Sequence, residues 1–147
     1  MSAAGAPWDA ALAAEIIARH ARQEGPLLPI LHEVQAAFGY VPAPAVPLIA
    51  EALNLGRAEV HGVVSFYHDF RTEPPALPVV KLCRAEACQS RGVEALAPRA
   101  EARAGVTVEP VYCLGLCASG PAAMVGERVF ARVDAAALDR LLDDVAA

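Results

Sequence analysis

The feature that most limits what this chain can fold into is a change of hydrophobic period across one stiff segment. Thr72-Glu73-Pro74-Pro75-Ala76-Leu77-Pro78 places three prolines in five positions. Proline fixes φ and has no N–H to give, so this stretch suits neither a helix interior nor a central strand. It reads as a linker. Before it, apolar residues recur at helical spacing; after it, they run together or alternate, as strands do. The chain is therefore expected to divide into a bundle over 1–72, a linker over 73–78 and a second domain over 79–147.

In the first part, Asp9 to Arg22 predicts a helix with Leu12, Ile16, Ile17 and His20 on one face, ended by Gly25-Pro26. Leu27, Ile30, Leu31, Val34, Ala37 and Phe38 mark a second helix, with Pro29 in its first turn and Gly39 just past its end. Pro44–Leu53 and Arg57–Val64 give two more. Helices joined by such short loops make a bundle. After the linker, Val79–Cys83 predicts a buried strand and Gln89–Arg103 a helix in which Pro98 is awkward. Val106–Tyr112 predicts a second long strand. Pro121–Val125 and Val129–Val133 are short strands around Gly126-Glu127-Arg128. Asp134 caps a closing helix with Leu138, Leu141, Leu142 and Val145 inward. The order βαβββα is that of a small α/β domain of thioredoxin-like type. The expected fold class is α+β/α/β, a helical bundle followed by that domain.

Charge and patterning exclude several functions. A net charge of −5 over 147 residues leaves no basic footprint for nucleic acid or an anionic membrane. The chain is 56% apolar, yet its long apolar runs are broken by Pro29, Pro42, Pro44 and Pro47, so direct membrane insertion is not expected. Met1 to Pro7 has neither a basic nor an apolar region of a secretory signal. A cytoplasmic location follows as the expectation. Thiols stay reduced there, so cysteines point to metal or redox chemistry before disulfides.

All four cysteines lie beyond the linker, as Cys83-x4-Cys88, 24 intervening residues, then Cys113-x3-Cys117. Cys83 ends the first strand and Cys113 follows the second. Strands joined through a helix run parallel, so both cysteine pairs should reach one edge of the sheet. A helix of about 14 residues spans about 21 Å, about the length of a six-residue strand, and returns the chain to the right level. Four thiolates from two loops suit a [2Fe–2S] cluster, for which C-x4-C is a known loop. They also suit zinc, although knuckles there are more often C-x2-C. Disulfides or unliganded cysteines are the third option. The C-x2-C-x2-C run of a four-iron cluster is missing, and the nearest histidine, His68, lies 15 residues before Cys83, so a Rieske centre does not fit. Around the second pair, Leu114, Gly115, Leu116, Ala118 and Gly120 are small or apolar. The two glycines either serve as ordinary turn residues or let backbone N–H groups close on sulfur.

The remaining letters carry less. Ser65, His68 and Asp69 stand too close in sequence to converge as a nucleophile, base and orienter. Phe66, Tyr67 and Phe70 suit either the core or a partner surface. His20, His32 and His61 lie on helices and read as satisfied or solvated. Neither G-x-G-x-x-G nor G-x-x-x-x-G-K-[ST] occurs.

From about Leu27 to about Val145 the chain resembles the thioredoxin-like [2Fe–2S] ferredoxins, in the form of the small iron–sulfur subunit of NADH-oxidising flavoprotein modules. The resemblance rests on Phe38-Gly39-Tyr40-Val41-Pro42, on Val60-His61-Gly62-Val63-Val64-Ser65-Phe66-Tyr67, and on both cysteine loops. It implies that Cys83, Cys88, Cys113 and Cys117 ligate one [2Fe–2S] cluster and that this chain has no catalytic residue. Such subunits serve respiratory complex I, NAD-reducing hydrogenases and soluble NAD-dependent molybdenum or tungsten formate dehydrogenases. Gly62 to Arg71 and Cys83 to Gln89 look most like the gamma subunit of the formate dehydrogenases, and the short gap between cysteine pairs departs from complex I. The resemblance then implies two partners: a subunit binding FMN and NAD, and a larger iron–sulfur subunit with the molybdenum or tungsten cofactor. The rival of another class is a zinc-stapled interaction module, which would be colourless.

Overall fold

The computed structural model describes residues 5–147. Two compact units emerge, one ending at Ala76 and the other running from Leu77 to Ala147. The first unit is four helices. Helix α1 (Ala10–His20) starts where the Asp9 carboxylate accepts the N–H groups of Ala11 and Leu12 at 2.8 and 3.3 Å. Those donors have no partner inside the helix, so the cap stabilises its first turn. Helix α2 (Leu27–Phe38) stops at Gly39, whose φ of 81° is the left-handed conformation glycine takes without penalty. Helix α3 (Ala45–Leu53) stops at Asn54, and α4 (Arg57–Phe66) begins with the Glu59 carboxylate accepting the Gly56 N–H at 2.6 Å. Ile16, Ile30, Leu31, Val34, Phe38, Ile49 and Val60 form the core of the bundle. Trp8 packs on Phe38 with ring centres 5.2 Å apart.

The three aromatics before the linker part company. Phe70 is buried and tilted against His32, so it belongs to the core. Phe66 and Tyr67 are exposed. The Gln35 amide fixes the chain here, donating to the Asp69 carbonyl and accepting the Arg71 N–H, each at 2.7 Å. Ser65 donates to the Gly62 carbonyl at 3.1 Å, a local helix bond rather than a catalytic one. His20 pairs with Glu33, and His61 is exposed.

The second unit is a four-stranded sheet in the order β2-β1-β3-β4, with β1 Val79–Cys83, β2 Thr107–Val111, β3 Ala123–Val125 and β4 Arg128–Phe130. β1 and β2 are parallel; β3 is antiparallel to β1, and β4 to β3. β1 is thus paired at both edges, and Val80 and Leu82, which share one of its faces, are fully enclosed. Helix α7 (Ala135–Ala146), capped by the Asp134 carboxylate on the Ala137 N–H, buries Leu138, Leu141 and Leu142. Val80, Leu82, Val93, Ala97, Ala100 and Leu138 belong to one core.

One expected element is wrong. The single helix over Gln89–Arg103 is two: α5 (Glu86–Gln89) and α6 (Val93–Glu101). Gly92, at φ 89°, turns the chain between them. Pro98 stays inside α6, where the residue is exposed. The short strands also shrink. Val129–Val133 pairs only as Arg128–Phe130, because the N–H groups of Arg132 and Val133 turn to the carbonyls of Ser119 and Pro121. The second long strand is Thr107–Val111.

Candidate metal centre

The parallel register sets Cys83 opposite Val111, so the end of β1 and the approach to Cys113 share one edge. The Arg84 N–H donates to the Val111 carbonyl at 2.8 Å, and the Cys83 N–H to the Ala122 carbonyl at 2.9 Å. The chain before β3 is thereby drawn to the same edge. A 3₁₀ turn over Cys117–Ser119 lies there too. The topology collects both cysteine loops, although the crossover is built from two helices and not one.

The four sulfurs pair two and two. Cys113 Sγ and Cys117 Sγ are 3.6 Å apart. Two thiolates on one tetrahedral metal, with bonds of about 2.3 Å, stand about 3.8 Å apart. Cys83 and Cys88 lie near enough for each to shift the other's thiol, and Cys117 lies near enough to feel the charge of both. Among the described residues, no three His, Cys, Asp or Glu side chains gather around a single point as one ion would require. All four cysteines are free thiols.

The environments differ within the group. Cys83 and Cys88 are buried; Cys113 and Cys117 are exposed. Burial pushes the Cys83 thiol up, but backbone bonds from Ala85, Cys113 and Leu114, together with the Cys88 thiol, outweigh it and bring it below its ordinary value. Burial and the neighbouring Cys83 push the Cys88 thiol up. Hydrogen bonding and repulsion from Cys113 raise Cys117. Cys83 is poised to ionise first, while Cys88 and Cys117 resist, as expected where thiols crowd together.

Three backbone features fit the site to a sulfur-bound group. Cys113 has φ 100°, a conformation that side chains rarely adopt and that costs of order 1–3 kcal/mol. The Gly115 N–H donates to Cys113 Sγ at 3.4 Å, and Gly115 itself is left-handed, at φ 75°. Gly120 serves differently. Its φ of −68° suits any residue, but a Cβ there would lie 3.1 Å from Cys88 Sγ and 3.2 Å from Arg91 Cδ. Gly115 is therefore both a turn residue and an N–H donor to sulfur, and at Gly120 the backbone passes close to the Cys88 sulfur. The bonds of Arg84 and the strain at Cys113 escaped the sequence reading; neither leaves a periodic signal.

A model of the thioredoxin-like [2Fe-2S] ferredoxin family matches residues 13–146. A subunit of the NADH-quinone oxidoreductase of Rhizobium meliloti is 31% identical over 137 residues, covering 86% of this chain and 82% of that one. The NADP-reducing hydrogenase subunit HndA of Solidesulfovibrio fructosivorans is 28% identical over 132 residues, covering 82% and 77%. The crystal structure of an NAD+-reducing [NiFe]-hydrogenase in its air-oxidised state superposes with a TM-score of 0.66 at 29% identity. The match covers 81% of this chain but only 22% of that one. With a family model spanning nearly its whole length, and the fold and paired cysteines described above, this chain belongs to the thioredoxin-like [2Fe–2S] ferredoxin family.

Proposed function

We propose that this chain is the one-electron-carrying subunit of an NAD-linked oxidoreductase, with Cys83, Cys88, Cys113 and Cys117 holding one [2Fe–2S] cluster. The observation that carries the reading is the gathering of four free thiols at one sheet edge, with Cys113 Sγ and Cys117 Sγ 3.6 Å apart. When bound, the cluster supplies a one-electron redox centre, a chemistry the protein's side chains lack. The protein supplies the rest. Cys83 and Cys88 anchor one half of the site in the apolar core and keep water from it. The Gly115 N–H donates to Cys113 Sγ, and the backbone dipoles of Ala85, Cys113 and Leu114 favour an ionised Cys83. Cys113 and Cys117 face outward, where a partner's redox group can approach.

The finer reading is the gamma subunit of a cytoplasmic NAD-dependent formate dehydrogenase. It rests on Gly62–Arg71 and Cys83–Gln89. FMN and NAD would then be bound by one partner, and the molybdenum or tungsten cofactor by a second, larger one. The relatives' names favour a second reading, the equivalent subunit of a hydrogenase or of an NADH-quinone oxidoreductase. Among the described residues, no helix is long and apolar enough to cross a membrane. Two experiments test the proposal. The purified chain should be reddish-brown, with about two irons and about two acid-labile sulfides. A colourless chain with one zinc overturns the cluster. The native complex should reduce NAD with formate; reduction with hydrogen, or quinone-linked NADH oxidation, moves the chain to the second reading.

A further inference from the structure

The Cys83–Cys88 loop should be loose by its local chemistry. It ends in α5, which at four residues is far too short to hold itself together. Cys88 and Gln89 donate back to the Ala85 carbonyl, at 2.9 Å each, and close only one turn. The position of Cys88 relative to Cys83 must be set from outside that turn.

One residue supplies the connections. Arg84 uses its backbone and side-chain groups to join the end of β1 to three other elements. Its N–H donates to the Val111 carbonyl at 2.8 Å, tying the first loop to the end of β2, two residues before Cys113. Its carbonyl accepts from Gln89 Nε2 at 2.8 Å, tying it to α5. Its guanidinium forms a fork on Glu94 of α6, with Nε at 2.9 Å from Oε1 and the second nitrogen on Oε2. A longer contact of 3.4 Å reaches Glu101 on the same helix. A bidentate arginine–carboxylate pair fixes orientation as well as distance.

We propose that Arg84 is a positioning residue for the [2Fe–2S] cluster: its fork on Glu94 and its backbone bonds hold the Cys83–Cys88 loop in the geometry that binds iron. This rests on the cluster reading above. A half-exposed ion pair adds little to global stability, so a role confined to folding would be small. The location gives it another use, because Arg84 directly follows one proposed ligand and its carbonyl is held by Gln89, which directly follows another. An ordinary surface pair stands nearby for contrast. Arg99 of α6 forms the same kind of fork on Asp139 of α7, with Nε at 2.6 Å, and touches neither cysteine loop.

The experiment compares full-length chains loaded with iron and sulfide. Two quantities are read: the rate of iron release to a ferrous chelator, and the electron paramagnetic resonance line shape of the reduced cluster. Arg84→Gln should release iron about tenfold faster than the parent, the low end of the effect expected for a group that orients a metal ligand. Its resonance line shape should shift. Arg99→Gln should match the parent in both. Arg84→Lys, which keeps the charge and one bond but not the fork, should fall between. If Arg84→Gln does not fold, Glu94→Gln decides on the same two readings, since it breaks the fork and leaves the backbone bonds. Release and line shape equal to the Arg99→Gln control overturn the proposal. A parent chain that takes up no iron and sulfide overturns the cluster reading instead.

Discussion

The two cysteine loops reach one sheet edge by opposite means. Cys83 and Cys88 are each 2% exposed and sit in the core formed with Val80, Leu82, Val93 and Ala122. Their loop is braced by the ladder of β1, by Arg84 and by Gln89. Cys113 and Cys117 are exposed, on a loop whose regular structure is a three-residue 3₁₀ turn, and Cys113 sits at strained φ. One half is stabilised by packing. The other holds strain that a metal–sulfur bond can offset. On the proposed cluster reading, the first loop serves as scaffold and the second as access.

The largest effect expected is on iron. Replacing any one of the four cysteines by serine should abolish stable cluster uptake, measured as iron and sulfide per chain. Retention of a full cluster by one of these variants would remove that residue from the ligand set. Next comes the stability of the metal-free chain, where the loops should separate in sign. Cys88→Ser puts a hydroxyl into an apolar site and should cost about 1–3 kcal/mol in urea unfolding. Cys113→Gly removes the strain at φ 100° and should stabilise by about 1 kcal/mol. Equal changes in both would erase the distinction drawn between the loops.

Gly120 and Gly115 sharpen the same comparison. Gly120→Ala presses a methyl on Cys88 Sγ and should reduce cluster loading. Gly115→Ala meets open space and should cost only the left-handed strain, about 1–2 kcal/mol, with the cluster retained. In the metal-free chain, brief alkylation read by mass spectrometry should label Cys113 and Cys117 before Cys83 and Cys88, because access outweighs the lowered Cys83 thiol. The smallest effect concerns Glu94, whose carboxyl the Arg84 hydrogen bond holds below the usual range. The native state therefore binds this proton more weakly than the unfolded chain does. Stability from the pair is present above about pH 4.3, the ordinary Glu value, and is lost as pH falls through the lower native value. Glu94→Gln should flatten that small dependence in acid unfolding curves.

Much of the fold was legible where side-chain period reports burial directly. Ile30, Leu31, Val34 and Phe38 sit on one helix face, and all are in the core. Asp9, Gly39 and Asp134 mark helix ends through local chemistry that needs no tertiary contact. The helix over Gln89–Arg103 failed because its apolar spacing tolerates a break. Only the φ of Gly92 separates α5 from α6, and a glycine in a helical pattern does not announce its φ. The aromatics before the linker failed to declare themselves for a related reason. Phe70 is core and Phe66 is not, although they stand four residues apart, because the chain leaves the helix between them.

What the amino-acid sequence determined by itself is the chemistry and its rough place. Four thiols, their spacing and the β–helix–β order point both pairs to one edge, since a helical crossover makes the two strands parallel and sets their C-terminal ends on the same side. What only the tertiary structure decided is how each thiol is held. Burial of Cys88, the approach of Gly120 to its sulfur, and the bonds from Arg84 to Val111 and Glu94 join residues far apart along the chain or on different elements. Such contacts are set by packing and not by period, so no local pattern encodes them.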